Sequence, residues 1–133
     1  MLASVADGYL PYFLLFESVA AAIHTVVCYV SPPAVSLKQF SGPKRPPPTL
    51  LLAHVYGIKN LYTALIRGYA AYHISNRPVY DLAMFSFAGV LALYVGEFAI
   101  WKTAAWREVR FPFILSGTSL VWMLAQRSWY CRL

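Results

Sequence analysis

Six ionisable side chains interrupt otherwise apolar stretches of this chain: Glu17, His24, His54, Lys59, Arg67 and Glu97. Two carboxylates, two imidazoles and two cations could form a proton or ion path, a metal site, or a set of buried pairs that fixes helix register. Each costs about 2.5–3.5 kcal/mol near the centre of a membrane helix, so such groups turn inward and pair. The acids and histidines do not line up along one route. His24 and His54 also lack a third ligand at a metal-binding spacing. Register-fixing pairs are therefore the favoured reading.

The segment around Lys59 organises the set. Tyr56, Lys59, Asn60, Thr63 and Arg67 share one face of a helix at 100° per residue, and Val55, Gly57, Ile58, Leu61, Leu65 and Gly68 take the opposite face. The polar stripe should look toward neighbouring helices. Depth then suggests partners. Arg67 and Glu17 enter from one side of the membrane to about 10 and 12 Å at 1.5 Å per residue. Lys59 and Glu97 approach from the other. The expected pairs are Glu17–Arg67 and Glu97–Lys59.

The elements that must position these groups are four apolar segments at 9–30, 50–74, 79–101 and 109–130, the last with its apolar core at 111–125. A helix crosses the hydrocarbon with about 20 residues. Three segments reach that length directly. The fourth reaches it only by running past Gln126 and Arg127 to Tyr130, and a re-entrant segment is the alternative there. With 59% hydrophobic and 12% charged residues among 133, far below the ~25% charged of soluble domains, the chain reads as all-α: a single integral membrane bundle of four transmembrane helices over 1–133.

The connections differ in kind. Residues 31–49 hold Pro32, Pro33, Pro43 and Pro46-Pro47-Pro48, so neither helix nor central strand is expected. Asn76-Arg77-Pro78 makes a tight turn and antiparallel neighbours. Residues 102–110 read as a short basic loop. The 31–49 and 102–110 connections share one side with six cations, Lys38, Lys44, Arg45, Lys102, Arg107 and Arg110. The other side has three, Arg77, Arg127 and Arg132. Cytoplasmic loops are rich in Lys and Arg, so the termini should be lumenal. The amino terminus lacks a basic n-region and has Asp7 instead, so 9–30 reads as a retained helix rather than a signal. Cys28 and Cys131 fall at opposite faces, too far apart for a disulfide. Ser86, Gly89, Leu93, Gly96 and Glu97 form a narrow small-residue arc suited to close helix packing.

The net charge of +6 reflects orientation rather than nucleic-acid binding, since no basic stripe is interleaved with aromatics. No dinucleotide, P-loop, nucleophile-elbow or histidine-box motif appears. The reading from residues alone is no enzyme, no cofactor and no metal, with membrane lipid as a contact and room for a homo-oligomer.

Gly8-Tyr9-Leu10-Pro11 followed by Leu14-Leu15-Phe16 and Tyr29-Val30-Ser31 resembles the start of the ergosterol biosynthetic protein 28 family. Gly57, Ile66-Arg67 and Tyr69-Ala70 follow in that family's order, then Glu97 before Trp101-Lys102-Thr103. The last block, Thr118-Ser119-Leu120-Val121-Trp122-Met123 with Gln126-Arg127 and Trp129-Tyr130, is the most specific. The resemblance implies a non-catalytic endoplasmic-reticulum scaffold for sterol C-4 demethylation. Implied partners are the sterol C-4 methyl oxidase, the 4α-carboxysterol 3-dehydrogenase, the 3-keto sterol reductase and the sterol C-24 methyltransferase. A small transporter or channel subunit and a sterol-binding membrane module are the alternatives. The chain departs from the family pattern at Ala53-His54-Val55-Tyr56-Gly57 and Lys59-Asn60, and at Glu17, where an apolar residue is expected. That makes Glu17–Lys59 a rival pair. Glu17, Lys59, Arg67, Glu97, Trp122 and Arg127 are the structural or interaction candidates.

Overall fold

Proline and glycine punctuate four long helices in the computed structural model, which describes residues 8–131. Asp7 and Arg132 lie outside the described residues. Helix α1 (Leu10–Val30) has Pro11 in its first turn, where a missing N–H costs nothing, and stops at Ser31 before Pro32. Helix α3 (Leu50–Tyr72) is capped by Thr49, whose hydroxyl accepts from the Leu52 N–H at 3.1 Å. Helix α4 (Arg77–Val95) is capped by Asn76, whose side-chain oxygen accepts from the Val79 N–H at 3.2 Å. These are ordinary side-chain caps for orphan amides. Helix α4 continues through a wide π turn over Gly96–Ile100. Helix α5 (Trp106–Tyr130) runs unbroken through Pro112.

Two expectations need correction. Residues 31–49 are not a bare proline loop: they hold a short helix, α2 (Pro33–Ser36), and a 3-10 turn at Lys38–Phe40. Pro33 supplies a helical φ where no N–H is needed. Leu37 then tucks against Cys28, Ala53 and Tyr56. The 102–110 stretch is also not all loop. Helix α5 begins at Trp106, so Arg107 and Arg110 lie on its first two turns.

The helices pack chiefly as two pairs, α1 with α3 and α4 with α5, joined through α3 and α4. Both ends are tied. At one end the Leu10 N–H donates to the Tyr130 hydroxyl at 3.4 Å, and Arg77 Nε donates to the Cys131 carbonyl at 2.8 Å. At the other, the Gly42 and Lys44 amides donate to the carbonyls of Thr103 and Lys102 at 2.8 and 3.0 Å. The start of α1 and the end of α5 therefore share one end of the bundle with the 73–76 turn, and the two longer connections share the other. Gly42 is required there, since a Cβ would stand 2.3 Å from the Lys102 carbonyl oxygen. Cys28 and Cys131 are free and buried at opposite ends.

Small residues set the α1–α3 distance. A Cβ on Gly57 would lie 2.9 Å from Cys28 Cβ, and one on Gly68 would lie 3.1 Å from Ser18 Oγ. That closeness lets hydroxyls on α1 reach backbone on α3: Ser18 donates to the Ala64 carbonyl at 2.6 Å and Thr25 to the Gly57 carbonyl at 3.0 Å. The outward faces of all four helices are apolar, with Leu51, Phe85 and Phe111 each more than 70% exposed. A water-soluble monomer rarely exposes so much contiguous apolar surface. By length and apolarity α1 and the span Arg77–Ile100 are fit to cross a membrane; α3 and α5 are as long but carry charges.

Candidate functional site

The polar stripe of α3 turns inward, as its spacing predicts: Tyr56, Asn60, Thr63 and Arg67 are buried and Lys59 is half-buried. It faces a cavity of about 200 Å³ walled by all four long helices and by Gln39 from the 3-10 turn. Glu17 and His24 reach the cavity from α1, Tyr94 from α4, and Ser116 from α5. Apolar clusters flank it at both ends. One, around Leu14, Ala71, Tyr80 and Phe87, fills the terminal end. The other two meet at Phe40, which stands edge-on to Tyr56 at 5.3 Å and tilted to Tyr94 at 6.3 Å.

Inside, the hydrogen bonds that form run to neutral neighbours rather than to an opposite charge. The Glu17 carboxylate accepts from Ser119 Oγ at 2.7 Å across the α1–α5 gap. Arg67 Nε donates to Ser86 Oγ at 3.2 Å, and its guanidinium lies 3.8 Å from the Phe87 ring centroid, a cation–π contact. Lys59 Nζ donates to Asn60 Oδ1 at 3.3 Å, and Asn60 Nδ2 meets His24 Nδ1 at 2.9 Å. The Tyr56 and Tyr94 hydroxyls meet at 2.6 Å.

The expected ion pairs do not form. Among the described residues the one ion pair within 4.0 Å joins Arg127 to Asp81, with Nε and Nη2 donating at 2.6 and 2.8 Å. Glu17 and Arg67 share the cavity but bond elsewhere, because Ser119 and Ser86 sit closer on facing helices. Lys59 does not pair with Glu17 either. Glu97 and Lys59 line a second, more apolar groove of about 330 Å³ beside Phe40 and Pro46. The π turn instead brings Glu97 to Thr103, whose hydroxyl donates to Glu97 Oε1 at 2.7 Å. His54 leaves the set altogether and stacks on Tyr29 at 4.3 Å. Trp122 donates from Nε1 to Gln126 at 2.6 Å and packs its ring on Phe13 at 5.3 Å.

Several members of the site escaped the sequence reading. Ser86 and Ser119 are short polar residues whose partners lie in distant segments, and Gln39 is borne by the 3-10 turn. Asp81 was legible in principle: it lies four residues inside α4 while Arg127 lies three from the end of antiparallel α5, so their depths match. The small-residue arc on α4 is only partly used. Ser86 meets Arg67, but a Cβ on Gly89 would have no neighbour within 4 Å.

A family profile described as "Erg28 like protein" matches residues 10–121. The chain belongs to the Erg28 family. The match takes in Glu17, Lys59, Arg67, Glu97 and Ser119, so the whole cavity lies inside it. Relatives named "Ergosterol biosynthetic protein 28" share 32% identity in Candida albicans, over 92% of this chain and 88% of that protein, and 31% in Saccharomyces cerevisiae, over 97% and 87%. A Gibberella zeae protein of the same name is 35% identical over 62% of this chain and 49% of its own length. No solved structure matches this Erg28-family chain.

Proposed function

We propose that this chain is a scaffold of ergosterol synthesis: one membrane domain over residues 1–133 with four transmembrane helices, resident in the endoplasmic reticulum. It performs no chemistry itself. It holds the sterol C-4 methyl oxidase, the 4α-carboxysterol 3-dehydrogenase and the 3-keto sterol reductase together, with the sterol C-24 methyltransferase as a further partner. The observation that carries this reading is the near full-length match to proteins named for ergosterol biosynthesis. The physics agrees with it. Sterol intermediates stay in the bilayer, and tethering sequential enzymes raises the effective concentration of each for the next step.

The outer apolar faces supply docking ground. On α5, Gly117 and Thr118 floor a groove between Phe113 and Trp122, and small residues let another helix approach closely. Arg67 and Glu97 act from within, by holding the register of α3 and α4. Trp122 and Arg127 shape the α5 surface. The cation-rich loop end faces the cytoplasm and the termini face the lumen.

Affinity isolation from solubilised microsomes, combined with sterol analysis, tests the proposal. The wild-type chain should bring down the three demethylation enzymes. Gly117→Leu, which fills the α5 groove, should lower recovery of at least one and raise 4-methylsterols in step. Normal sterol flux after the association has gone would refute the tether.

A further inference from the structure

The cavity holds more positive charge than its own residues neutralise. In its lining Lys59 and Arg67 stand with a single carboxylate, Glu17, which accepts from Ser119; Glu97, across the neighbouring groove from Lys59, is engaged by Thr103. Among the described residues two buried side-chain atoms lack any hydrogen-bond partner, Arg67 Nη2 and Gln39 Oε1. Both belong to residues that line this cavity. An unpaired buried donor on a cation is costly, and here a donor and an acceptor are left open in one small space.

The opening has a direction. Ala20 on α1 and Phe111 on α5 are exposed residues of the lining, so the gap between α1 and α5 leads sideways to the apolar exterior, near the loop end. From Lys59 to Arg67 the wall runs about 12 Å along α3. At about 200 Å³ the space is below the ~300–1,000 Å³ of pockets that swallow a drug-sized ligand whole. It fits a compact polar head whose apolar tails stay outside.

We propose that this cavity binds the anionic phosphate headgroup of a membrane lipid, entering between α1 and α5. Separate phosphate oxygens take the free Arg67 Nη2 and the Lys59 ammonium, and the P–OH of the monoanion donates to Gln39 Oε1. Free inorganic phosphate shares the anion chemistry but not the tails, which is what separates the two sources. Headgroup binding is read on the purified chain with no enzyme present, so its failure would leave the tethering role standing.

The test is thermal unfolding in nonionic micelles with added dioleoylphosphatidate, dioleoylphosphatidylcholine or sodium phosphate, with bound lipid counted by native mass spectrometry. Phosphatidate should raise the unfolding midpoint and stay bound at concentrations where the other two do neither. Lys59→Gln removes one anion contact. Gln39→Glu, on the loop side and outside the long helices, adds a repelling charge while keeping the basic pair. Each should weaken phosphatidate binding at least tenfold. Equal shifts with phosphatidylcholine, equal shifts with inorganic phosphate, no shift with any of the three, or undiminished binding in both variants would each overturn the assignment.

Discussion

Replacing Gly57 with alanine should force α1 and α3 apart. The new Cβ would stand 2.9 Å from Cys28 Cβ and 3.1 Å from the Tyr29 ring, whereas carbon atoms rest at about 3.5–4.0 Å. Both Cβ atoms are fixed to the backbone, so no rotamer removes the clash and the helices must separate by roughly 0.6–1 Å. The Thr25 bond to the Gly57 carbonyl, now 3.0 Å, then stretches past hydrogen-bonding range. Overpacking costs about 1–3 kcal/mol, and a lost interhelical bond in a membrane about 0.6 kcal/mol. Alanine returns up to about 1 kcal/mol of helix propensity. With the full propensity gain returned, the net expectation is a loss of roughly 0.6–2.6 kcal/mol. Gly89→Ala is the matched control, because its Cβ would touch nothing within 4 Å; it should be neutral or gain up to about 1 kcal/mol. Unfolding by sodium dodecyl sulfate titration from mixed micelles reads both. Equal midpoints for the two variants, or a gain from Gly57→Ala, would refute the view that glycine sets this interface.

Gly42→Ala should break the clamp between the two longer connections, since its Cβ would lie 2.3 Å from the Lys102 carbonyl oxygen; limited proteolysis within 31–49 should accelerate, and an unchanged cleavage rate would count against the clamp. Asp81→Asn and Arg127→Gln, singly and together, should show only a weak coupling, shrinking as salt rises, because both side chains are nearly half exposed. A larger, salt-insensitive coupling would mean that the pair is shielded from water.

Helix positions were legible because apolar length and proline punctuation are local. The inward turn of α3 was legible for the same reason: Tyr56, Asn60, Thr63 and Arg67 recur at helical spacing, and burial follows period. The Leu10–Tyr130 and Arg77–Cys131 contacts bring the first and last helices together beside the 73–76 connection, a closure that no local pattern announces. Pairing was not legible. Depth along a helix gives one coordinate, but partnership needs rotation as well, and serines at 86 and 119 outcompeted the charges because they stood on the nearer faces. The fold of 31–49 escaped because proline forbids mid-helix donors yet favours a first turn, and Leu37 had a buried place to go that local sequence does not reveal. Gly57 and Gly68, expected on the face opposite the polar stripe, pack against Cys28 and Ser18 of α1, while Val55, Ile58, Leu61 and Leu65 of that face are exposed.

The Glu17–Ser119 bond spans 102 residues of chain, which has a consequence for biogenesis. Translation at about 5–20 residues per second delivers Ser119 roughly 5–20 seconds after Glu17 has left the ribosome. Through that interval an acidic side chain sits on a newly made helix without its hydroxyl. The nascent chain must stay sheltered by the insertion machinery, or by its own later helices, until the last one arrives.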